Sequence, residues 1–313
     1  MLFCNFPREI AFLFKCVHVH NTPLVSVITL HYNAAGTTNR FLQSATSLSY
    51  LRYEIIVADM ASAPGNTPDI TLNEHARYLR SDTNLGFAAG NNWAAMQAKG
   101  DYLFFVNNDT ILQGDLIEKL LEPQLNDKTI GISCPKILTL SNRKIEYAGF
   151  NKMNFITGRT TSIGFNEVDK GQYDRQYETY GAHGCALMIR KDLFMENGGF
   201  PAQFFLYYEE WDISERIKKQ GYKILFVGTA SILHEGSVSI GKENPLKEYY
   251  LNRNRILFIR RNANVAQRMV FYIYLVLVSV PKNILTYLSK KQFNNIRSYL
   301  SAIYWNVTHA VDH

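Results

Sequence analysis

The sequence predicts an α/β fold, with a mainly parallel sheet flanked by helices and a helical C-terminal extension. Three observations predict it. From Pro23 to about residue 130, short apolar β-rich runs alternate with single helical patterns, which implies right-handed crossovers between parallel strands. A polar residue stands at or just after each strand end: Asn33, Asp59, Asn84 and Asp109. From Pro245 onward no strand pattern recurs and the chain reads as helix. Open α/β sheets bind ligands beyond the carboxyl ends of their strands, so four polar ends pointing one way predict a site of nucleotide size.

The elements follow in order. "LVSVITLHY" (24–32) is a β-rich apolar run, and Thr37-Thr38 cap a helix whose Phe41, Leu42, Ala45 and Leu48 recur at helical spacing. "YEIIVAD" (53–59) and "ARYLRS" (76–81) are the second and third strands. "GFAAGNNWAAMQAKG" (86–100) is a helix of small residues, "YLFFVNND" (102–109) the fourth strand, and Leu116, Ile117, Leu120 and Leu121 mark the next helix. Past Ile130, "IGISCPKILTL" and "KIEYAGF" are shorter strands. Residues 151–180 are polar and irregular, either a substrate loop or a surface excursion. "CALMIR" (185–190) and "KILFV" (223–227) are strands around an amphipathic helix, "WDISERIKKQGY" (211–222), with Gly221 near its C-cap. The predicted division is an N-terminal extension 1–22, a sheet domain 23–244 with halves at about 23–130 and 131–244, and a basic helical region 245–313.

With 313 residues, 47% hydrophobic and 19% charged, the chain has material for a large core, and bulk disorder is excluded. The net charge of +6 is unevenly placed: residues 242–300 hold eleven Lys and Arg against two Asp and Glu. A near-neutral body with a basic tail points to an anionic partner near the C-terminus. The four cysteines are widely spaced, without metal-ligand or disulfide patterning, which predicts a reducing, cytoplasmic compartment. The N-terminal apolar run is broken by Arg8, Glu9 and Lys15 and lacks a small-residue cleavage site, unlike a signal peptide. "MVFYIYLVLVSV" (269–280) ends at Pro281-Lys282, short of the ~20 residues of a spanning helix. It reads either as a helix lying on an anionic membrane surface or as a buried or oligomeric contact.

The candidate chemistry falls in two groups. Asp59 can accept hydrogen bonds from a pyrimidine or a ribose, or cap a turn. "NLGFAAGNN" (84–92) sets glycines at a loop-to-helix junction, where free amides face phosphate or the glycines permit close packing. Asp109 follows a buried strand and the neutral Asn107 and Asn108; one carboxylate holds Mg²⁺ or Mn²⁺ when a substrate diphosphate completes the shell. The same residues also favour an Asx-turn. In "FFLYYEEWD" (204–212), Glu209, Glu210 and Asp212 open a helix beside an aromatic wall, which raises a carboxylate's pKa toward that of a general base. Acids there also suit a helix dipole. His234, after "SIL", is a candidate Mn²⁺ ligand or a structural histidine, and Arg253, Arg255, Arg260 and Arg261 offer a phosphate or lipid contact or a solvated face.

In that order "VSVITLHYN", "VAD", "NLGFAAGNN", "NND", "GCALMIRKDLFMENGGFPAQFFLYYEEWDISERIKKQGYKI", "ILHEGS" and "LNRN" resemble the inverting family 2 glycosyltransferases, in their rhamnosyltransferase-like branch, over about residues 23–262. The resemblance implies a GT-A fold, a nucleoside-diphosphate sugar donor (dTDP-rhamnose first, then a UDP-sugar), a divalent metal, and inversion by single displacement. It implies that Asp59 binds the base, and that Asn84, Gly86, Phe87 and Asn91 bind the donor, with Asn33, Asn107 and Asn108 beside them. Asp109 matches the last position of a DXD-type metal motif whose first position is Asn107. Glu210 stands where relatives carry the catalytic aspartate of a Glu-Asp pair, next to Glu209 and Asp212. His234 matches a metal-ligating histidine, and Arg253-Asn254 a pair near the phosphates or acceptor. The implied acceptor is a polyprenyl-diphosphate-linked or growing glycan, at the inner face of a cell membrane, with no nucleic acid partner. Two other classes are weighed. A sugar-phosphate nucleotidyltransferase favours a basic glycine-rich loop after the first strand, where "HYNAAGTTNR" lacks lysine. A non-catalytic glycan- or sugar-nucleotide-binding subunit is the third.

Overall fold

The structure is a computed structural model and describes residues 22–236 and 244–311. All but the last residue of the expected N-terminal extension, with Cys4 and Cys16, lies outside the described residues.

The first half follows the alternation in the sequence. Strand β1 (Val25–His31) leads to helix α1 (Ala35–Ala45), β2 (Tyr53–Met60) and β3 (Ala76–Ser81). Helix α2 (Gly86–Gln97), β4 (Tyr102–Val106), the short β5 (Thr110–Ile111) and α3 (Leu116–Asn126) complete it. Neighbours in the order β3-β2-β1-β4 are parallel, with His31 level with Asp59. Val25, Val27, Ile28, Ile55, Ile56 and Val57 are wholly buried, as two-faced strands between helices require.

The second half extends the same sheet with a mixture of parallel and antiparallel pairs. Its strands are β6 (Ile130–Thr139), β7 (Ile145–Tyr147), β8 (Gln176–Glu178), β9 (Ala186–Arg190) and β10 (Lys223–His234), with α4 (Lys191–Glu196) and α5 (Glu209–Lys219) between them. The order continues β4-β9-β6-β10-β5, and β9 runs antiparallel to both β4 and β6. Because β10 pairs parallel with β6, the mainly parallel expectation extends into the second half, where β9 is the strand reversed within the order β4-β9-β6-β10. The excursion 148–185 is packed: Met153 shares a second apolar cluster with Phe204, Trp211 and Ile256–Ile259.

The C-terminal helices α6 (Pro245–Asn262), α7 (Val265–Tyr274), α8 (Val280–Ser289) and α9 (Phe293–Thr308) pack against that cluster. Helix α7 begins with a capping box, Asn264 to Gln267. The sequence ended the apolar helix at Pro281. The structure winds it as π-helix at Leu275–Ser279 and carries it through Pro281, which sits in the first turn of α8 where its missing N–H is tolerated. The resulting run Val265–Ser289 spans 25 residues and is long and apolar enough, by length and composition, to cross a membrane. Burial within the chain covers 17% of its most apolar window, so the described residues leave most of that surface open for a membrane surface or an oligomeric contact.

Candidate active site

The carboxyl ends of β1 and β4, the start of α2, and the loop before α5 enclose a cleft of about 480 Å³. Asn84, Gly86, Phe87 and Asn91 line one side, Asn107, Asn108 and Asp109 the floor, and Glu209, Glu210 and His234 the far wall. Residues up to 150 positions apart in the chain thus share one cavity.

Each is held by local chemistry. Asn84 Oδ1 accepts from the Gly86 N–H at 2.9 Å, capping α2. Gly86 has φ +74°, and a Cβ there would collide with the Phe205 ring. Asn108 Nδ2 donates to Thr38 Oγ1 at 2.8 Å, and Thr38 Oγ1 also lies 2.8 Å from His31 Nδ1. Asn107 closes a turn, its carbonyl accepting from Thr110 Oγ1 at 2.7 Å.

Asp109 Oδ1 is buried with no hydrogen bond among the described residues, yet lies 3.2 Å from His234 Nε2, whose Nδ1 lies 2.8 Å from Glu146 Oε2. Burial opposes charge on His234, but Cys185, Asp109 and Glu146 outweigh it and hold its pKa above the usual range. The spacing of the Asp109 oxygen and the His234 nitrogen suits two adjacent ligands of one octahedral ion with bonds of about 2.1 Å. Among the described residues no group of three His, Cys, Asp or Glu is placed to hold an ion, so the protein offers two ligands. This donor set fits a metal completed by substrate oxygens.

Glu209 and Glu210 open α5 after a strained approach: Phe205, Tyr207 and Tyr208 all have positive φ, at 61°, 71° and 74°. Each carboxylate has an Oε2 that is buried and without a partner among the described residues. Burial, then repulsion from Glu210, raises the Glu209 pKa well above its usual value, and burial lifts Glu210 to about 7. An oxygen base with that pKa changes protonation near neutral pH, as proton transfer requires.

Five expected site residues lie off the cleft. Asp59 is fully buried and saturated: it accepts from the Ser62 N–H at 2.9 Å, Ser62 Oγ at 2.6 Å, the Tyr78 hydroxyl, and Arg80 at 2.5 Å. Burial opposes its charge, but the Ser62 and Tyr78 bonds win and lower its pKa. Asn33 lies beside it, accepting from the Ala63 N–H at 2.7 Å. Asp212 departs from a catalytic role: it is buried behind the helix and clamped by Arg216 and Arg261, each at 2.7 Å, and by Asn262 at 2.8 Å. Its carboxylate is taken up by these groups and does not line the cleft. Arg253 and Asn254 also stand back from the cavity. Arg253 Nη2 donates to the carbonyls of Gln203 and Phe204, and Asn254 Nδ2 to those of Phe204, Leu206 and Tyr207, at 2.6–2.8 Å. They hold the strained loop whose Phe205, Leu206 and Tyr207 line the cleft.

Sequence reasoning missed Glu146, His183 and Gly184, which line the cleft. Glu146 lies in a three-residue strand with no local signal, and only its 88-residue reach to His234 reveals it. Gly184 packs against Glu210, a Cβ there lying 3.6 Å from its Cδ.

A family profile described as "Glycosyl transferase family 2" matches residues 26–198. The N-acetylglucosaminyl-diphospho-decaprenol L-rhamnosyltransferase of Mycobacterium tuberculosis is 22% identical over 248 residues, 71% of this chain and 79% of that protein. An O-antigen biosynthesis protein of Myxococcus xanthus is 21% identical over 249 residues, 75% of this chain but 19% of its own length. Among solved structures, GalNAc-T7 with UDP, GalNAc and Mn²⁺ superposes at TM-score 0.58 with 16% identity, over 83% of this chain and 57% of that one. A mannosyltransferase from Pyrobaculum calidifontis with GDP-Man and Mn²⁺ superposes at TM-score 0.55 with 14% identity, over 96% and 83%.

Proposed function

The chain belongs to glycosyl transferase family 2 and is a glycosyltransferase of the GT-A fold, and from that premise we propose an inverting sugar transfer in bacterial surface-polysaccharide assembly. The donor is a nucleoside-diphosphate sugar, with dTDP-rhamnose the first candidate and a UDP-sugar the second. The acceptor is a hydroxyl of a polyprenyl-diphosphate-linked or growing glycan, at the cytoplasmic face of the membrane. The division proposed for the chain is donor half 23–130, acceptor half 131–244, and a basic helical region 245–313 that contacts the membrane surface.

One observation carries the reading: Asp109, His234, Glu209, Glu210 and the Asn84–Asn91 motif converge on one cleft. Glu210 takes the proton of the acceptor hydroxyl as its oxygen bonds to the anomeric carbon, while the bond from that carbon to the diphosphate breaks. Glu209, more strongly disposed to keep a proton, avoids a second negative charge beside the base. Asn84 takes up the Gly86 N–H and the Phe205 carbonyl takes up those of Phe87 and Ala88, so the start of α2 meets the donor through side chains rather than the free amides the sequence led one to expect. Glu146 orients the His234 ring so that Nε2 faces Asp109. Asp109 and His234 would hold Mg²⁺ or Mn²⁺, which supplies charge neutralisation for the departing diphosphate. Arg253 and Asn254 keep the Phe205–Tyr207 loop over the donor.

The test is a thermal-shift screen of nucleotide sugars with and without Mn²⁺, followed by turnover of the stabilising donor. Stabilisation by one donor that deepens with Mn²⁺ is expected. Stabilisation that ignores the ion removes the metal, and normal donor consumption by Glu210→Gln removes the base.

A further inference from the structure

Arg255 is a buried cation with no acidic partner among the described residues. It lies in the middle of α6, 2% exposed, and its Nη2 donates to Ser279 Oγ at 3.1 Å. Its Nε and Nη1 are buried with no hydrogen-bond partner among the described residues. Burial, then repulsion from Arg159, holds its pKa below the usual arginine value, and its other electrostatic neighbours are Tyr208, Tyr299 and Tyr274. An unpaired buried guanidinium is costly, and a second cation beside it adds to the cost. Buried donors left open in this way call for a specific explanation, a ligand among them.

The surroundings say which ligand. The turn carrying Arg159 closes on the Arg255 stem, since a Cβ at Gly158 would lie 2.8 Å from Arg255 Cγ. Tyr208, whose hydroxyl donates to the Gly158 carbonyl at 2.8 Å, immediately precedes Glu209 and Glu210, so both cations adjoin the acceptor wall. The partner Ser279 ends the π-helical segment Leu275–Ser279, a winding frequent at functional sites. On the outside of that segment Val276, Leu277 and Val278 are 61%, 69% and 47% exposed. Between residues 249 and 311 the sequence contains no Asp or Glu. The region therefore offers unpaired positive charge beside exposed hydrocarbon, next to the carboxylates.

We propose that Arg255 and Arg159 bind a phosphoryl anion of the acceptor, the diphosphate of a lipid-linked glycan whose hydrocarbon chain lies along the apolar face of residues 269–278. This rests on the acceptor class proposed above. The anion takes the open Nε and Nη1, with Arg159 closing from the surface. The turn Asn154–Arg159 is held within itself by Asn154 Oδ1, which accepts from the Ile156 and Thr157 N–H groups, and to the body by Tyr208 and by Phe155 against Phe258, so the anion reaches the pair from the exposed Arg159 side. The donor diphosphate and free phosphate share the anion's chemistry. Neither arginine lines the donor cleft, which favours the acceptor.

The experiment titrates farnesyl diphosphate, farnesol, inorganic pyrophosphate and UDP into the full chain by calorimetry, as wild type and as Arg159→Gln, Arg255→Met and Arg255→Lys. Farnesyl diphosphate should bind wild type, lose at least tenfold in affinity in Arg159→Gln and Arg255→Met, and recover in part in Arg255→Lys. UDP should bind all four alike. Farnesyl diphosphate bound equally by all four proteins, or not at all, overturns the site. Pyrophosphate matching farnesyl diphosphate in wild type overturns the lipid component, and a parallel loss of UDP assigns the arginines to the donor instead. Arg159 is exposed, so Arg159→Gln decides the matter even if Arg255→Met does not fold. Failure of wild type to bind UDP or any other nucleotide would count against the glycosyl-transfer reading instead, leaving the anion site to the farnesyl diphosphate arm.

Discussion

The two sides of the cleft treat their polar groups in opposite ways. On the first-half side, Asn84 and Asn108 are bonded within the protein, and behind the cleft Asp59 receives four donors and Asn33 holds a backbone N–H. On the floor and far wall, oxygens of Asp109, Glu209 and Glu210 are buried without a hydrogen bond among the described residues, Asp109 having His234 at 3.2 Å. Saturated groups build shape, because their hydrogen bonds are already made. Open groups carry the cost of desolvation until a substrate or proton relieves it. The chemistry therefore belongs to the open wall, and the saturated side fixes where it points.

Substitutions on each side should separate along this line. Glu210→Gln is expected to lower kcat by about 10²–10⁴-fold with donor affinity nearly unchanged, since a positioned base contributes on that order. A loss confined to KM would break the comparison. Asp212→Ala, which strips the partner from two guanidinium groups, should cost about 3–5 kcal/mol of stability, read by denaturant unfolding. If kcat falls while stability holds, Asp212 belongs to the open wall after all. Asp59→Asn should cost about 1–3 kcal/mol in the same assay, because it weakens a saturated set. The smallest effect is the pH response. The folded Glu210 pKa of about 7 lies above the usual 4.5, so the folded state binds more protons between those values. Stability should then fall as pH rises from 4.5 to 7, and kcat should rise through pH 7 as the base ionises. Melting temperatures of wild type and Glu209→Gln/Glu210→Gln at pH 5 and pH 8 check this. The double variant should show a flatter difference, and an equal slope in both proteins would sink the assignment.

Much of the donor half was legible because its signals are local. Val25–His31 and Tyr53–Met60 are apolar on both faces and punctuated by polar ends, so strand limits fell within one or two residues. The stretch Asn84–Asn92 reads as a glycine-punctuated loop-to-helix junction, and α2 begins there at Gly86, with φ +74°. The acceptor half was less legible. Glu209, Glu210 and Asp212 look equivalent in sequence, yet Asp212 is taken up by Arg216, Arg261 and Asn262, the last two from a distant helix, while the glutamates line the cleft. Arg253-Asn254 read as ligand contacts because nothing local says that their acceptors are loop carbonyls some 50 residues earlier. Pro281 read as a helix stop, where the π-helical turn before it absorbs the missing donor.

The sequence by itself determined the order of strands and helices, the strand-end placement of the polar residues, and the charge contrast between body and tail. Each of these depends on periodicity or composition over a few neighbouring residues. The tertiary structure alone decided which polar groups are satisfied. Asp59 meets Arg80 across 21 positions, His234 meets Glu146 across 88, and Arg255 meets no acid among the described residues. Hydrogen-bond saturation is a property of space rather than of sequence separation, and it is what divides scaffold from chemistry in this cleft.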